Sequence, residues 1–364
     1  MYKKFFNIYL NIITTHHLHF FLYFFLLTLL ECITYTTSHA ASIEPGIRLE
    51  SLCIENNQTK LDLAIWYPTL QKPIQINYGD WNIIASHGAK PYPGKYPAII
   101  LSHDSAGSRF SLHELATTLT QKGYIVVSVT HQGDNADDMS LMFTIKQITG
   151  RVHQLNIIID FLMNDQELFD ILDTQKIGII GIGTGGTAAL LLGGAKLDPS
   201  AWWDYCNNII LPSSSIIVND AYCSSWVKPK MNILAQQIDP QETYNNPRIT
   251  AIVVVAPGFG MFFSKESLAS LSRPILLVEA TKDYINPPKY HSQYIEKQLS
   301  TYYEMIVLSE ASTATLISPC SESLEQVLPE MCSKELDVTK QLIQKEIANT
   351  SAAFFTRCFS LFKK

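Results

Sequence analysis

Lys176-Ile177-Gly178-Ile179-Ile180-Gly181-Ile182-Gly183-Thr184-Gly185-Gly186-Thr187 (KIGIIGIGTGGT) is the stretch that decides the fold. An apolar, β-branched run enters a cluster of glycines and leaves it as Ala188-Ala189-Leu190-Leu191-Leu192, so a buried strand turns sharply into a helix. Gly181, Gly183 and Gly186 satisfy GxGxxG, the pattern in which backbone approaches a dinucleotide pyrophosphate at a helix N-terminus. That site also needs an acid about 20 residues on, at a strand end. Asp198 and Asp204 lie near that distance, but LDPSAWWDY does not read as a strand, and three strand-like runs already precede the motif. The same residues can be laid on GxSxG, the tight turn that lifts a nucleophilic serine above a sheet. Gly181 and Gly185 are then the flanking glycines, and the nucleophile position is Gly183, which has no side chain to attack a carbonyl. In a third reading the glycines only let strand and helix pack closely.

Outward from the motif, apolar runs alternate with helix-length segments. Leu61 to Tyr67 alternates like a half-buried strand, whereas Tyr96 to Ser102 and Tyr124 to Thr130 read as buried ones. Thr250 to Ala256, Pro274 to Glu279 and Tyr303 to Leu308 follow. Helical spacing covers Leu112 to Lys122, Arg151 to Met163, Thr187 to Leu192 and a tail from about Asp337 to Phe355. Near-continuous β-branched runs between helices indicate an α/β protein with a mostly parallel sheet covered on both faces. The stretch 198–246 breaks the period and reads as an excursion from a single domain at 41–364.

The 364 residues are 47% hydrophobic and 16% charged, with a formal net charge of −6. This suits a large core and gives no basic field for nucleic acid, so none is expected as a partner. Lys3 and Lys4, the apolar run Phe20 to Leu30 and Ser38-His39-Ala40 have the order of a secretory signal peptide over residues 1–40. The run is short for a membrane span. Processing at Cys32 is disfavoured by Glu31, and a retained anchor is the remaining alternative. Cleavage leaves a net charge of −7 and six cysteines in an exported, periplasmic or secreted chain. Cys206/Cys223 and Cys320/Cys332 are the nearest candidate disulfide pairs in an oxidising compartment. No CxxC or HExxH is present, and neither metal nor cofactor is expected.

Several further motifs appear in a recognisable order: Trp66-Tyr67-Pro68; Leu101-Ser102-His103-Asp104-Ser105-Ala106-Gly107; Gly123-Tyr124; Gly181 to Gly186; Ala256-Pro257-Gly258; Pro274 through Asp283; Ala311 to Cys320; and Leu328-Pro329-Glu330-Met331-Cys332. From about Leu61 to Phe355 the chain resembles the secreted α/β-hydrolases grouped with dienelactone hydrolases and related to platelet-activating-factor acetylhydrolases. The resemblance implies an α/β-hydrolase fold with a Ser–Asp–His triad. It places the family's acid at Asp283, its nucleophile at Gly183 and its base, in a segment like AGHxxFLxPC, at Thr313. It also implies an oxyanion region around Asp104, Ser105, Ala106 and Thr184, with Asp104 where the family has glycine. A negative charge there opposes the charge that develops on an ester's tetrahedral intermediate. No histidine follows His291, so the Ser–Asp–His order cannot be completed by a small shift.

Two functional expectations follow. The first is a protein that binds an acyl, lipid or protein ligand without chemistry, in an aromatic pocket lined by Trp202, Trp203, Phe259 and Phe262, with Trp226 and Phe263 nearby. The alternative for these aromatics is core filling. Asp198 to Asn246 and the loop Gly258 to Glu266 are candidate partner or membrane-facing surfaces, with Phe262-Phe263 as a shallow membrane contact. The second is an ester hydrolase with a displaced site, using Ser105 with His103 or His131 at the carboxyl ends of two strands and Asp283 as orienter.

Overall fold

The computed structural model describes residues 42–54, 59–208 and 221–361, excepting the side chains of residues 206–208 and 221. The expected signal peptide, Cys32 and the Cys206 side chain lie outside this description. Ten strands form one mixed sheet: β1 Glu44–Ile54, β2 Thr59–Thr69, β3 Ile74–Tyr78, β4 Trp81–His87, β5 Tyr96–Ser102, β6 Ile125–Thr130, β7 Leu172–Ile182, β8 Ile249–Val255, β9 Ile275–Ala280 and β10 Tyr303–Leu308. Their order is β10-β9-β8-β7-β5-β6-β2-β1-β4-β3. Every pairing from β10 to β6 is parallel, and β2 and β1 then add antiparallel. This is the α/β-hydrolase fold, with the hairpin β3–β4 added at one edge.

Period-two alternation sorts each buried strand between two cores. On β5, Ala98 and Ile100 face one core while Ile99 and Leu101 face the other. The first core takes the apolar stripe of α2 (Ile145–Asn164) and the wholly buried helix α3 (Thr184–Leu192). The second takes α1 (His113–Gln121) and the C-terminal α4 (Asp337–Leu361), whose Phe354, Phe355 and Phe359 are buried. The described residues from Ile43 onward form one compact unit.

The topology also locates the site. After β5 the chain adds β6 on one side of it and later β7 on the other. The connections therefore diverge at the carboxyl ends of β5 and β7, where an open α/β sheet forms its ligand crevice. Ser102-His103-Asp104 leaves one of these strands, and Ile182-Gly183-Thr184 leaves the other.

Candidate functional site

The glycine cluster is a strand-to-helix elbow. Gly183 adopts φ 55° and ψ −120° at the N-cap of α3, a left-handed conformation that favours glycine. A Cβ on Gly181 would strike the backbone of Gly185, and one on Gly185 would strike the carbonyl of Ser102. The glycines thus combine a tight turn with close strand–helix approach. The next strand, β8, ends at Val255, and neither Asp198 nor Asp204 is at a strand end, so the dinucleotide pattern has no ribose-binding acid.

A Cβ on Gly183 would overlap the carboxyl group of Asp104. Oδ1 of that carboxylate accepts the Thr184 N–H and the Ser105 N–H, each at 2.8 Å. These are the amide after the elbow residue and an amide of the loop after β5, the two donors from which such an elbow makes an oxyanion hole. Asp104 therefore occupies both these amides and the space that a side chain at Gly183 would need. Burial pushes its carboxyl up to about 6, assisted by the charge of Asp283; the two amide bonds and Arg151 pull the other way.

Asp283 and Thr313, expected at the acid and base positions, are joined directly. The Thr313 hydroxyl donates to Asp283 Oδ1 at 2.8 Å. The same oxygen accepts the N–H groups of Ile285 at 2.9 Å and Asn286 at 3.0 Å. Asp283 is thus satisfied by its own loop and by a hydroxyl, with no imidazole to orient. Asn286 Oδ1 in turn accepts the Tyr222 hydroxyl at 3.0 Å.

The displaced pair does not assemble. Ser105 Oγ accepts from Gln147 Nε2 at 2.9 Å, exchanges a bond with Thr184 Oγ1 at 3.0 Å and donates to Asp134 at 3.3 Å. His103 bonds the Asp104 carbonyl through Nδ1, and its Nε2 accepts the His131 N–H at 3.2 Å. His131 lies between Ser102 Oγ and Gln154 Oε1, each at 2.8 Å. Burial holds His103 down near 3 and His131 well below the usual imidazole range, with the charge of Arg151 adding to both. The serine–imidazole bond present is that of Ser102 with His131, and both residues are fully buried, closed to any substrate. Ala106, in the left-handed region at φ 59°, is exposed on the same loop.

Beneath the loop, the Arg151 guanidinium holds Asp134 Oδ2 at 2.7 Å and also bonds the His103 and Asp134 carbonyls. Sequence reasoning missed Arg151, Asp134, Ser102 and Gln147. A cation on the otherwise apolar stripe of a helix, with an acid just after the neighbouring strand, was the available signal.

The expected aromatic pocket is corrected. Trp202, Phe259, Phe262 and Phe263 are buried, and Trp202 stacks on Phe262 with ring centroids 5.3 Å apart. They fill the core, because a helix and the loop after β8 close over them; Trp203 is exposed. Buried Phe262 and Phe263 cannot make a membrane contact. An open cavity of about 460 Å³ lies instead against Asp198, Tyr205, Met261, Glu266, Tyr290 and Tyr294. A second, of about 690 Å³, is lined by Gln132, His153, Gln154, Glu242 and Tyr244 among others. Neither is lined by Asp104, Gly183, Asp283 or Thr313.

Residues 83–207 match the model of the dienelactone hydrolase family, a span that includes Asp104 and Gly183 and stops before Asp283 and Thr313. No curated protein matches the chain. A solved ferulic acid esterase from Streptomyces cinnamoneus is similar in fold, with a TM-score of 0.55 and 16% identity over 88% of this chain and 91% of that one. A Bacteroides ovatus chain assigned as a dipeptidyl aminopeptidase IV gives a TM-score of 0.48 and 12% identity over 88% of this chain and 36% of its own.

Proposed function

We propose that this α/β-hydrolase-fold chain is of the dienelactone hydrolase type and is an exported, non-catalytic binding protein for an acyl, lipid or protein ligand. The observation that carries this reading is the Asp104 carboxylate in the oxyanion hole above a side-chain-free Gly183. An acyl-transfer site needs a nucleophile, a base that takes its proton and donors free to receive the developing negative charge. Here the nucleophile is absent, the base position is the hydroxyl of Thr313, and both donors already serve an anion of the chain itself. The open cavity beside Tyr205 and Tyr290 offers a place for a ligand on the scaffold. Export is supported by the Cys320–Cys332 disulfide and by the disulfide-bonded state of Cys223, which suit an oxidising compartment. No described helix is long and apolar enough to cross a membrane.

The test is turnover of short-chain aryl esters and an acetylated phospholipid by the mature protein and its Ser105→Ala variant. Wild type and variant should both stay at the buffer rate. Wild-type turnover abolished by Ser105→Ala would overturn the reading in favour of a displaced hydrolytic site.

A further inference from the structure

An aromatic pair with an exposed tryptophan stands outside the site and outside both cavities. Trp226 is 64% exposed, and Phe143 meets it edge-on with ring centroids 6.1 Å apart. Lys230 Nζ lies 5.5 Å from the centroid of Phe143 and 5.8 Å from that of Trp226, so one ammonium caps both rings. Met142 precedes Phe143 and is exposed. Ile233, also exposed, follows Lys230 by three residues on the helix Lys228–Gln236, and so shares its face.

The pair is anchored rather than left loose. Phe143 has φ 62°, a left-handed backbone that costs a non-glycine residue roughly 1 kcal/mol or more. Its N–H donates to Gln147 Oε1 at 2.7 Å, and Gln147 Nε2 donates to Ser105 Oγ at 2.9 Å. The Phe143 backbone is therefore tied, through one glutamine, to the loop that carries Asp104.

The stretches that form this surface are locally basic. The chain is net acidic, yet Ala221 to Ile238 holds two lysines and no acid, and Met139 to Thr149 holds one lysine and no acid. A protein partner is typically anchored by aromatic and arginine side chains in well-packed, desolvated pockets. Here Trp226, Met142 and Ile233 are exposed around a half-buried Phe143, beside lysines whose long stems can lie along apolar surface with the ammonium in water. That is the chemistry of the headgroup–acyl boundary of an anionic bilayer.

We propose that Met142, Phe143, Trp226 and Ile233, with Lys228 and Lys230, form a docking surface for anionic phospholipid bilayers. The proposal rests on the binding reading above and deepens it by naming lipid as the ligand source. The test is sedimentation of the mature protein with phosphatidylcholine vesicles and with vesicles of equal parts phosphatidylcholine and phosphatidylglycerol. The protein should bind the anionic vesicles, with a blue shift in tryptophan fluorescence, and salt should weaken binding. Lys228→Gln/Lys230→Gln should lose roughly 5- to 30-fold in affinity. Trp226→Ala/Ile233→Ala, at two exposed side chains, should lose binding and the blue shift while keeping the wild-type melting temperature. No binding to anionic vesicles at low salt, equal binding to both vesicle types, or binding unaffected by the paired substitutions would each overturn the proposal. Ester turnover by the wild type would overturn the non-catalytic reading and leave the vesicle result standing, so the two failures are separable.

Discussion

Asp104 Oδ1 accepts the Thr184 N–H at 2.8 Å, so the amide that begins α3 is bound to an anion from the loop after β5. A serine at Gly183 would have to share that space while adopting φ 55°. Backbone strain of roughly 1 kcal/mol and overpacking of about 1–3 kcal/mol predict that Gly183→Ser is destabilised by about 2–4 kcal/mol. It should also gain no esterase activity. Asp104→Gly in the same chain should recover part of that loss. Urea unfolding of the two single variants and the double variant checks it, and strict additivity would mean that the two residues do not compete.

The same carboxyl gives a pH signature. Its folded pKa is raised to about 6 from 3.8, so the folded state holds the proton more tightly than the unfolded chain. That stabilisation is complete below about pH 4 and is lost as pH rises through 6, leaving ionised Asp104 a cost on the order of 2–3 kcal/mol at pH 7.5. Asp104→Asn keeps an acceptor for both amides and removes the charge. It should therefore be more stable than wild type at pH 7.5, by about 1–3 kcal/mol, with the advantage shrinking toward pH 4. A stability difference independent of pH would contradict the assignment.

Buried imidazoles act with the opposite sign. Burial lowers His103 and His291 to about 3 and His113 to about 4, and lowers His131 as well. Each is neutral in the folded state while the unfolded chain takes up a proton below about pH 6.5. Stability is thus full above 6.5 and lost as pH falls toward the folded values, with a limiting slope of about 1.4 kcal/mol per pH unit for each histidine. Unfolding free energies between pH 6 and 4.5 should show uptake of more than one proton, and imidazole NMR shifts should stay those of the neutral ring. A slope below one proton would show that these rings are charged in the fold.

The central sheet was legible because its strands are continuous β-branched runs: β5 and β10 match their expected limits, β6, β8 and β9 match to within a residue at each end, and β7 begins four residues earlier than expected. β1, β3 and β4 were not. β1 begins with Glu44-Pro45-Gly46, and the β3–β4 hairpin alternates modestly around Tyr78-Gly79-Asp80-Trp81, so its partners rather than its apolarity define it. At the elbow the residue types at Gly183, Asp104 and Thr313 could be read directly. That Asp104 would turn inward onto two amides could not, because a side-chain direction depends on the packing of a loop against a helix 80 residues away in sequence. The aromatic pocket failed for a related reason: composition cannot separate rings that line a cavity from rings that fill a core.

Arg151 and Asp134 are each 1% exposed and paired at 2.7 Å, so removing one partner strands the other's charge in the interior. Arg151→Met should cost about 3–5 kcal/mol, whereas Arg151→Met/Asp134→Leu should cost less than that single change. The loop from His103 to Ser105 rests on this guanidinium. Hydrogen exchange at the Ser105 amide should therefore accelerate in Arg151→Met more than exchange within β8. Equal acceleration at both places would mean that the pair supports the whole fold rather than the loop.

The disulfide Cys320–Cys332 closes a loop of 12 residues just beyond the segment that carries Thr313. Cross-linking a loop of this size stabilises by about 2–4 kcal/mol, chiefly through the unfolded chain. Cys320 Sγ also lies 3.5 Å from Nζ of Lys340, a residue with no exposed surface at the start of α4. The Ser318 N–H bonds the Ser111 carbonyl at 2.8 Å, and Gln344 bonds the Leu316 carbonyl, so backbone and helix contacts hold the same segment independently. Cys320→Ser/Cys332→Ser should therefore lower the melting temperature by roughly 5–10 °C without releasing Thr313 from Asp283. Calorimetry reads the first effect. For the second, exchange protection of the Asn286 amide, which shares Asp283 Oδ1 with Thr313, should persist in the variant. Loss of that protection at an unchanged melting temperature would show that the disulfide positions the site rather than stabilising the chain.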